Sequence, residues 1–295
     1  MNLISVIIPV YKDAKRLAWC LDSLCDQFSD EDEFEIIVVD NEGSLSEELD
    51  ESKFKNTKFI VETKPGSYAA RNSGIKITKG DWLVFTDADC LAPDGWWKRL
   101  NEILSDTTAD VFVGNIEVFP AVEGKPNTFE FFDALFAFPI HELYNTKKSG
   151  VTAHLIARKE CFEKYGDFDG RLLSGADNMW CRQAYAGGAK VELAEGLAVR
   201  HPARDTLQQL KVKARRIAGG KAQRSRLHEN ETLKISTICR LLLPSVRQLK
   251  KIWRSPLAGF WLKLKASALS TYLRWYRAMH EIGHKLNLFQ KLERQ

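Results

Sequence analysis

The first 90 residues alternate between uninterrupted apolar runs and segments whose apolar residues recur every three or four positions. The run Leu3–Val10 is rich in β-branched residues, which is typical of a strand buried on both faces of a parallel sheet. Asp13–Gln27 has helical spacing, and Glu35–Asp40, Lys58–Val61 and Asp81–Thr86 predict three further strands. This pattern predicts an α/β fold with a doubly wound sheet, helices on both faces, and a ligand site beyond the carboxyl ends of the strands.

The pattern becomes less regular after residue 110. Asp110–Phe119 and Val151–Ala157 predict strands, and Lys159–Tyr165 a short helix. The aromatic-rich segment Pro120–Ser149 has no clear period, so it is predicted to be an insertion or an acceptor wall. A loop then leads into a helix at Asn178–Ala186. Short strands are also predicted at Lys190–Leu193 and Leu197–Val199.

Two carboxylates separated by one residue, Asp87 and Asp89, follow the strand at Asp81–Thr86. Aspartate is common wherever a strand ends, so an ordinary turn is one interpretation. The other is a metal site, because Mg²⁺ prefers oxygen ligands and is often bound by one or two carboxylates together with substrate phosphates. The two side chains need not bind the same ion, so one can bind the metal and the other a hydroxyl group.

The composition is that of an ordinary folded chain. Its 295 residues are 44% apolar and 28% charged, enough for one large domain or one and a half. The six cysteines form no Cys-x-x-Cys pair, which fits free thiols in a reducing compartment. The start resembles no signal peptide and no apolar stretch reaches the length of a membrane span, so we expect a cytosolic protein.

The charge is distributed unevenly along the chain. From Arg204 onward there are 21 Lys+Arg against 5 Asp+Glu, whereas the preceding residues carry a net charge of −12. This asymmetry predicts two regions, at residues 1–204 and 205–295, that face different partners. The basic region is compatible with nucleic acid, an anionic membrane surface or a phosphate-bearing substrate.

Five short motifs, taken together, resemble the family 2 glycosyltransferases with the GT-A fold. They are Val6-Ile-Ile-Pro-Val-Tyr11, Ile37-Val-Val-Asp40-Asn-Glu-Gly-Ser44, Gly66 with Ala69-Ala-Arg71-Asn72-Ser-Gly74, Phe85-Thr-Asp87-Ala-Asp89, and Gly175-Ala-Asp177 before a helix. Their order and spacing cover the chain from about Ser5 to about Gly220. The resemblance implies an enzyme with a Rossmann-like mixed sheet that uses a nucleotide diphosphate sugar.

The resemblance implies a donor site at the end of the first strand. The turn Pro9-Val10-Tyr11 is similar to the one that packs against the nucleotide base, and Asp40 to the residue that bonds the base edge, most often uracil. Arg71 resembles a contact to the aspartates or the donor, and it lies early in a predicted helix whose free N–H groups suit a phosphate. Asp87 is similar to the residue that bonds the ribose or the donor sugar.

The resemblance also implies the catalytic and metal residues. Asp89 is similar to the residue that coordinates Mg²⁺ or Mn²⁺ bridging the diphosphate, and Asp177 lies where the family places its catalytic base. His201 lies where many members bring a residue to the metal or the diphosphate. From local sequence alone, Asp177 is also a good helix N-cap, and His201 is equally a structural histidine.

The chain departs from the family pattern at two motifs. Ala176 stands where an acidic residue often precedes the base, and Asn41-Glu42-Gly43-Ser44 is one residue longer than the usual sequence after Asp40. No Gln-x-x-Arg-Trp follows Asp177, and this is the signature that resembles processive polysaccharide synthases. We therefore expect a single transfer.

The basic region contains two predicted helices. Asp205–Leu227 carries Arg215 and Arg216, which are candidates for the donor diphosphate or else part of a solvated face. Pro256–Met279 has a broad apolar face rich in Trp and Tyr, with basic residues opposite and Lys250-Lys251 upstream. This pattern favours a helix in the headgroup region of an anionic bilayer, and packing against the catalytic domain is the alternative.

His280-Glu281-Ile-Gly-His284 matches the zinc-protease pattern His-Glu-x-x-His. A zinc site of this kind needs a third protein ligand. Only eleven residues follow His284, and Glu293 is the remaining candidate. We expect no protease.

We expect an inverting, metal-dependent glycosyltransferase that moves a sugar from a UDP-sugar to a glycan or lipid-linked acceptor at the inner face of a membrane, with no nucleic-acid partner. The sequence does not decide the oligomeric state. A sugar nucleotidyltransferase is the rival of related fold, although Val10-Tyr11-Lys12-Asp13 lacks the Gly-rich phosphate loop it needs. A non-catalytic glycan- or membrane-binding protein is the rival of another class.

Overall fold

The computed structural model describes residues 3–29, 33–45, 49–227 and 243–285. Its elements follow the predicted order over the first 110 residues. These are β1 (Ile4–Val10), α1 (Ala14–Cys25), β2 (Phe34–Asp40), β3 (Thr57–Val61), α2 (Ser67–Ile75), β4 (Trp82–Thr86) and α3 (Trp96–Ser105). The remaining elements are β5 (Val111–Phe119), α4 (Thr128–Phe136), α5 (Ile140–Lys147), β6 (His154–Arg158), α6 (Lys159–Tyr165), α7 (Ala176–Ala186), β7 (Val191–Pro202), α8 (Leu207–Leu227), α9 (Val246–Arg254) and α10 (Phe260–Lys285).

The seven strands form one mixed sheet in the order β3-β2-β1-β4-β6-β5-β7. Strands β1 to β4 pair in parallel, and β6 runs antiparallel to both β4 and β5. Because β7 pairs in parallel with β5, every strand except β6 ends at the same edge of the sheet, where β6 begins. The predicted α/β class and mixed doubly wound sheet are confirmed.

The central strands are buried on both faces, as their apolar runs predict. Every residue of β4 is buried, and Trp82 and Phe85 are among the largest side chains that are fully enclosed. Burying a large apolar side chain completely stabilises a fold by about 1.5–3 kcal/mol. The rigid sheet therefore fixes the position of the loop that follows it, where Asp87 and Asp89 lie.

The aromatic-rich segment is more ordered than its sequence suggests. It contains α4 and α5, and α4 begins with a capping box in which the Asn127 side chain accepts from Glu130 N–H while the Glu130 carboxylate accepts from Asn127 N–H. The segment lacks a clear helical period in sequence although it forms two helices, and its assignment as an insertion or acceptor wall stays a prediction. The period is unclear because α4 packs against β5 on one side and against the later helices on the others, so its apolar residues do not lie on a single face.

Strand β7 is continuous where two short strands are predicted. Its pairing with β5 shifts register between Gly114 and Asn115, whose partners are Ala194 and Ala198, so β7 has three extra residues at that point. This irregularity breaks the apolar alternation without ending the strand.

The helices after residue 205 pack on the rest of the protein. Helix α10 lies against α8 and α4, and Leu210 of α8 forms a buried cluster with Leu269 and Leu273 of α10. The two predicted regions thus share an interface, and the boundary at residue 204 stays a prediction. Within the described residues, no helix is both long enough and apolar enough to cross a membrane.

Candidate active site

A cavity of about 550 Å³ opens at the edge where the parallel strands end. Its wall brings together most of the residues singled out from the sequence. Of these, the cavity is lined by Pro9, Val10, Tyr11, Arg71, Asp87, Asp89, Asp177, His201 and Arg216. Asp40 and Arg215, which are both described, lie outside this lining.

Asp40 holds the loop behind the cavity. Its carboxylate is buried and accepts N–H bonds from Glu42 at 2.9 Å and Leu45 at 2.8 Å. The next residue, Asn41, lines the cavity, and its amide group accepts from Gly66 N–H and donates to the carbonyl of Glu62, both at 2.8 Å. Both side chains shape the loop, and a contact between Asp40 and a nucleobase stays a prediction.

Arg71 on α2 forms an ion pair with Asp87. The arginine side chain is 3% exposed, whereas that of Asp87 is 36% exposed. One nitrogen of the guanidinium bonds to Asp87 Oδ1, and the other terminal nitrogen donates to the Ser67 carbonyl at 3.3 Å. The buried cation therefore orients the carboxylate of Asp87, which lines the cavity.

Asp89 lies between two nitrogen-bearing side chains. Its Oδ2 is 3.5 Å from Arg16 Nη1 and 3.4 Å from His201 Nε2. The His201 ring is buried against Phe138, and its Nδ1 is 2.7 Å from the Pro202 carbonyl. A carbonyl only accepts, so Nδ1 carries a hydrogen, and in the neutral imidazole Nε2, the nitrogen that faces Asp89, has the lone pair that a metal ligand needs.

Asp177 is buried at the start of α7, and it is not the cap of that helix. The N-cap is Gly175, which has a positive φ of 87° and makes no side-chain cap bond. Asp177 Oδ2 accepts from Thr152 N–H at 3.2 Å, and Oδ1 accepts from Asn178 N–H at 2.8 Å. These bonds fix the carboxylate in the cavity wall, and the N-cap interpretation is wrong because a left-handed glycine starts the helix.

The loop before Asp177 packs closely on α8. A Cβ on Gly220 would lie 2.6 Å from the Ser174 side chain, so only glycine allows the helix to approach the loop this closely. On the other side, the Tyr68 hydroxyl accepts the Gly175 N–H at 3.0 Å. Burial raises the pKa of Tyr68, with Asp177 adding to the effect, so the hydroxyl stays neutral. The position of Asp177 thus depends on both α2 and α8.

A group of cations lines the cavity beside α8. Lys213 Nζ is 3.2 Å from Asp133 Oδ1, and Arg204 Nη1 is 3.0 Å from Asp133 Oδ2. Burial lowers the pKa of Lys213 to about 7, with the Arg204 charge acting in the same direction. Although burial alone would raise it, the two cations hold the pKa of Asp133 below its usual value. Arg216 also lines this wall and is exposed.

The sequence alone did not identify four of these residues: Arg16, Asn41, Arg204 and Lys213. One of them carries a signal, because Lys213 is three residues after Leu210 and four before Ile217, within the apolar row of α8. A lysine within the apolar row of a helix is unusual, and this marks Lys213 as a candidate functional residue. Arg16, Asn41 and Arg204 reach the cavity because the tertiary fold brings their segments to it.

The His-Glu-x-x-His segment is structural in the described part of the chain. Glu281 is buried and accepts from Lys221 Nζ and Arg277 Nε, each at 2.8 Å. Burial alone would raise its pKa, but Arg277 and Lys221 outweigh this and lower it. Its carboxylate joins α8 to α10, and Glu293 lies outside the described residues.

The mixed sheet and the carboxylate-lined cavity at its edge fit the GT-A fold. The glycosyl transferase family 2 model matches residues 5–166, and the chain belongs to this family. It is a glycosyltransferase.

Relatives and solved structures agree with this assignment. The chain is 32% identical to glycosyltransferase AglE of Haloferax volcanii over 76% of this chain and 74% of that protein. It is also 32% identical to the poly(ribitol-phosphate) beta-glucosyltransferase of Bacillus spizizenii, over 39% of this chain but 19% of that protein. The fold is similar to the mannosyltransferase PcManGT of Pyrobaculum calidifontis, solved with GDP-Man and Mn²⁺, with a TM-score of 0.62, 18% identity and coverage of 99% and 88% of the two chains.

Proposed function

We propose that this protein moves a sugar from a nucleoside diphosphate sugar, with UDP as the expected nucleotide, to a hydroxyl group of a glycan or lipid-linked acceptor. The transfer inverts the anomeric carbon and occurs once per binding event. The observation that carries the proposal is that Asp87, Asp89, His201 and Asp177 share one cavity. A turn alone would not need three carboxylates and an imidazole in the same wall.

Asp89 and His201 fit a divalent cation that is shared with a substrate. Among the described residues, no group of three or more His, Cys, Asp or Glu side chains forms a protein cage for a metal. Mg²⁺ and Mn²⁺ sites in phosphate chemistry commonly have few protein ligands and complete their shell with phosphate oxygens and water. The Pro202 carbonyl orients His201 as such a ligand requires. A bound Mg²⁺ or Mn²⁺ would neutralise charge on the leaving diphosphate.

Basic side chains of the protein supply the remaining positive charge that is needed to bind the diphosphate. Arg216 and Lys213 line the same cavity as Asp89, so they can bind diphosphate oxygens without any change of fold. Arg215 is proposed as a donor contact with them. Fixed cations in a site shielded from water stabilise a developing anion by several kcal/mol.

Asp177 is the proposed catalytic base. It takes the proton of the acceptor hydroxyl as that oxygen forms a bond to the anomeric carbon. The bond from this carbon to the diphosphate oxygen breaks on the opposite face, and the nucleoside diphosphate leaves with the electron pair. Attack opposite to the leaving group inverts the configuration, and a positioned base contributes about 10²–10⁴-fold.

The donor base and sugar are proposed from the site and from neighbouring folds. PcManGT was solved with GDP-Man, and Staphylococcus aureus TarS, with a TM-score of 0.54, was solved with UDP and UDP-GlcNAc. We favour UDP because Pro9, Val10 and Tyr11, which line the cavity, resemble the turn that packs against the base in this family, and Asp40 pairs with Val10 beside them. The acceptor is proposed to be a cell-surface glycan or its lipid-linked precursor, reached from the cytoplasmic face of an anionic membrane.

Nucleoside diphosphate release tests this proposal. The purified chain is incubated with UDP-Glc, UDP-GlcNAc or GDP-Man, with Mn²⁺, Mg²⁺ or EDTA, and the released diphosphate is measured. We expect release with one donor and a divalent cation, and a loss of about 10²-fold or more in Asp89→Asn. Glu123→Gln, at an exposed carboxylate away from the cavity, is the matched control and should retain full turnover.

The rival classes give different results in the same assay. A sugar nucleotidyltransferase would release no nucleoside diphosphate from these donors, and it would release pyrophosphate only when given a nucleoside triphosphate and a sugar phosphate instead. A non-catalytic binding protein would bind a donor without turnover in the wild type. Unchanged turnover in both Asp89→Asn and Asp177→Asn would contradict the enzyme site proposed here.

A further inference from the structure

Helix α10 has two apolar faces, and one of them is exposed. Its inner face packs on α8 and α4 through Ala266, Leu269 and Leu273. The outer face carries large apolar side chains at helical spacing, all at least 40% exposed. They are Phe260, Trp261, Leu264, Tyr272, Trp275 and Met279.

Helix α9 extends this exposed surface. Trp253 at its end is 43% exposed and its ring packs edge-on against Phe260, with 5.6 Å between the centroids. Val246, the first residue of α9, is 65% exposed, and Leu257, three residues after its end, is 67% exposed. A contiguous surface of this kind on a folded protein indicates a binding face, because scattered apolar residues do not line up along two consecutive helices.

The charge around this face is one-sided. Residues 243–285 contain nine Lys or Arg and a single acidic residue, Glu281, which is buried between α8 and α10. Lys250, Arg254 and Lys265 are exposed beside the apolar side chains. Aromatic residues that can enter an interface, with cations beside them, match a surface of phosphate headgroups over hydrocarbon.

A cavity at α9 provides a second observation. About 890 Å³ in volume, it is mostly apolar and largely open to solvent, and its lining includes Leu135, Val246, Leu257, Lys250 and Arg254. Two further cations in its lining are already bonded, because Arg247 pairs with Glu142 and Lys251 donates to the Leu135 carbonyl. The cavity thus offers an apolar space with the two exposed cations Lys250 and Arg254 in its lining, which suits one lipid with an anionic headgroup.

The exposed face is connected to the active site through α8. Leu210 of α8 packs on Leu269 and Leu273 of α10, while Lys213 and Ile217 of the same helix line the catalytic cavity. A partner bound to the outer face of α10 therefore lies one helix, α8, away from the wall of the catalytic cavity that an acceptor must approach.

We propose that the outer faces of α9 and α10 dock the protein on an anionic phospholipid bilayer, with the α9 cavity taking a headgroup and part of an acyl chain. The docking places the α8 wall of the catalytic cavity beside the membrane surface. This inference specifies the membrane partner of the proposed function, but its test needs no donor and no turnover.

Vesicle flotation of the full chain tests the docking. We expect flotation with vesicles of phosphatidylcholine and phosphatidylglycerol, and little with phosphatidylcholine alone. Trp261→Glu combined with Trp275→Glu should abolish flotation. Lys250→Gln combined with Arg254→Gln should weaken binding about 25-fold at low salt, since each cation near an anionic surface contributes about fivefold.

Matched controls lie elsewhere on the surface. Trp19, on α1, is 53% exposed, so Trp19→Glu introduces the same change at an equally exposed tryptophan and should float as the wild type does. Lys53→Gln is the corresponding control for loss of a cation. Because all substituted side chains are exposed, circular dichroism and the unfolding midpoint should be unchanged in every variant.

Three flotation results would overturn the docking proposal. They are no flotation of the wild type on anionic vesicles, equal flotation of the Trp261→Glu/Trp275→Glu variant, and equal flotation on neutral vesicles. A concentration-dependent dimer in sedimentation that the same double variant abolishes would assign the face to a second copy of the chain and would also overturn it. Donor hydrolysis without vesicles should be the same in these variants and the wild type, so failure of the docking is distinguishable from failure of the proposed function.

Discussion

Removing Asp87 from the Arg71–Asp87 ion pair should lower the free energy of unfolding much more than removing Arg71. The reason is that the arginine side chain is far more buried than the aspartate side chain. The Arg71 side chain is 3% exposed and that of Asp87 is 36% exposed. Asp87→Ala leaves the guanidinium desolvated without its counter-charge, and an uncompensated buried charge costs about 3–5 kcal/mol. Arg71→Met leaves a carboxylate that reaches water, so the loss is limited to a charge-assisted hydrogen bond, about 1.5 kcal/mol.

Urea unfolding at neutral pH measures both costs. We expect the free energy of unfolding to fall more in Asp87→Ala than in Arg71→Met, although Asp87 is the more exposed residue. The double variant should resemble Arg71→Met, because it no longer contains the buried charge.

The exposed pair Arg171–Asp169 is the matched control. Arg171→Met should leave the free energy of unfolding nearly unchanged, since the arginine side chain is 59% exposed. The reasoning is refuted if Arg71→Met destabilises the protein as much as Asp87→Ala does, or if the double variant is no more stable than Asp87→Ala.

Three further predictions concern buried ionisable groups. Asp40→Ala should lower the free energy of unfolding by about 2–4 kcal/mol, because two backbone N–H groups lose their acceptor; an unchanged urea midpoint would contradict this. Lys213 has a pKa of about 7 against an ordinary value of 10.5, so the unfolded chain binds more protons between these values and stability should rise with pH across that window. Lys213→Met should reduce this rise in urea midpoints, and an identical pH dependence in the variant would refute the assignment. Glu281→Gln should cost about 1–2 kcal/mol, because Lys221 and Arg277 are each 40% exposed and regain water, while added Zn²⁺ should leave the melting temperature unchanged.

The sheet and its ligand edge could be predicted because their signals are local. Runs such as Leu3–Val10 are apolar throughout only when both faces of a strand are covered, and a repeated strand–helix–strand unit brings the strand ends to one edge. The positions of Asp87 and Asp89 follow from that geometry without any knowledge of tertiary contacts.

Other features depend on contacts that the sequence does not display. Helix α4 has no single apolar face because it packs on several neighbours, and β7 carries three extra residues that hide its alternation. Helix α7 begins at Ala176 and not at the predicted Asn178, because Gly175 adopts a left-handed conformation and is the N-cap. Arg16 and Arg204 reach the site across the fold from distant segments.

The exposed face of α10 could be predicted only in part, because its apolar pattern is local but its packing partner is not. The pattern of its apolar residues predicted either a bilayer or the catalytic domain as the partner. The structure shows a helix that packs on α8 and α4 with one face while Trp261 and Met279 remain exposed on the other. Sequence periodicity could not separate the two faces because both are apolar.

The most direct test of the account is a paired measurement on Asp177→Asn, which replaces the proposed base by a side chain of the same shape. Donor affinity is measured by calorimetry, and transfer is measured as nucleoside diphosphate release with the acceptor present. The account predicts unchanged donor affinity and a loss of about 10²–10⁴-fold in the rate of transfer. Transfer at the wild-type rate with the donor bound normally would contradict it.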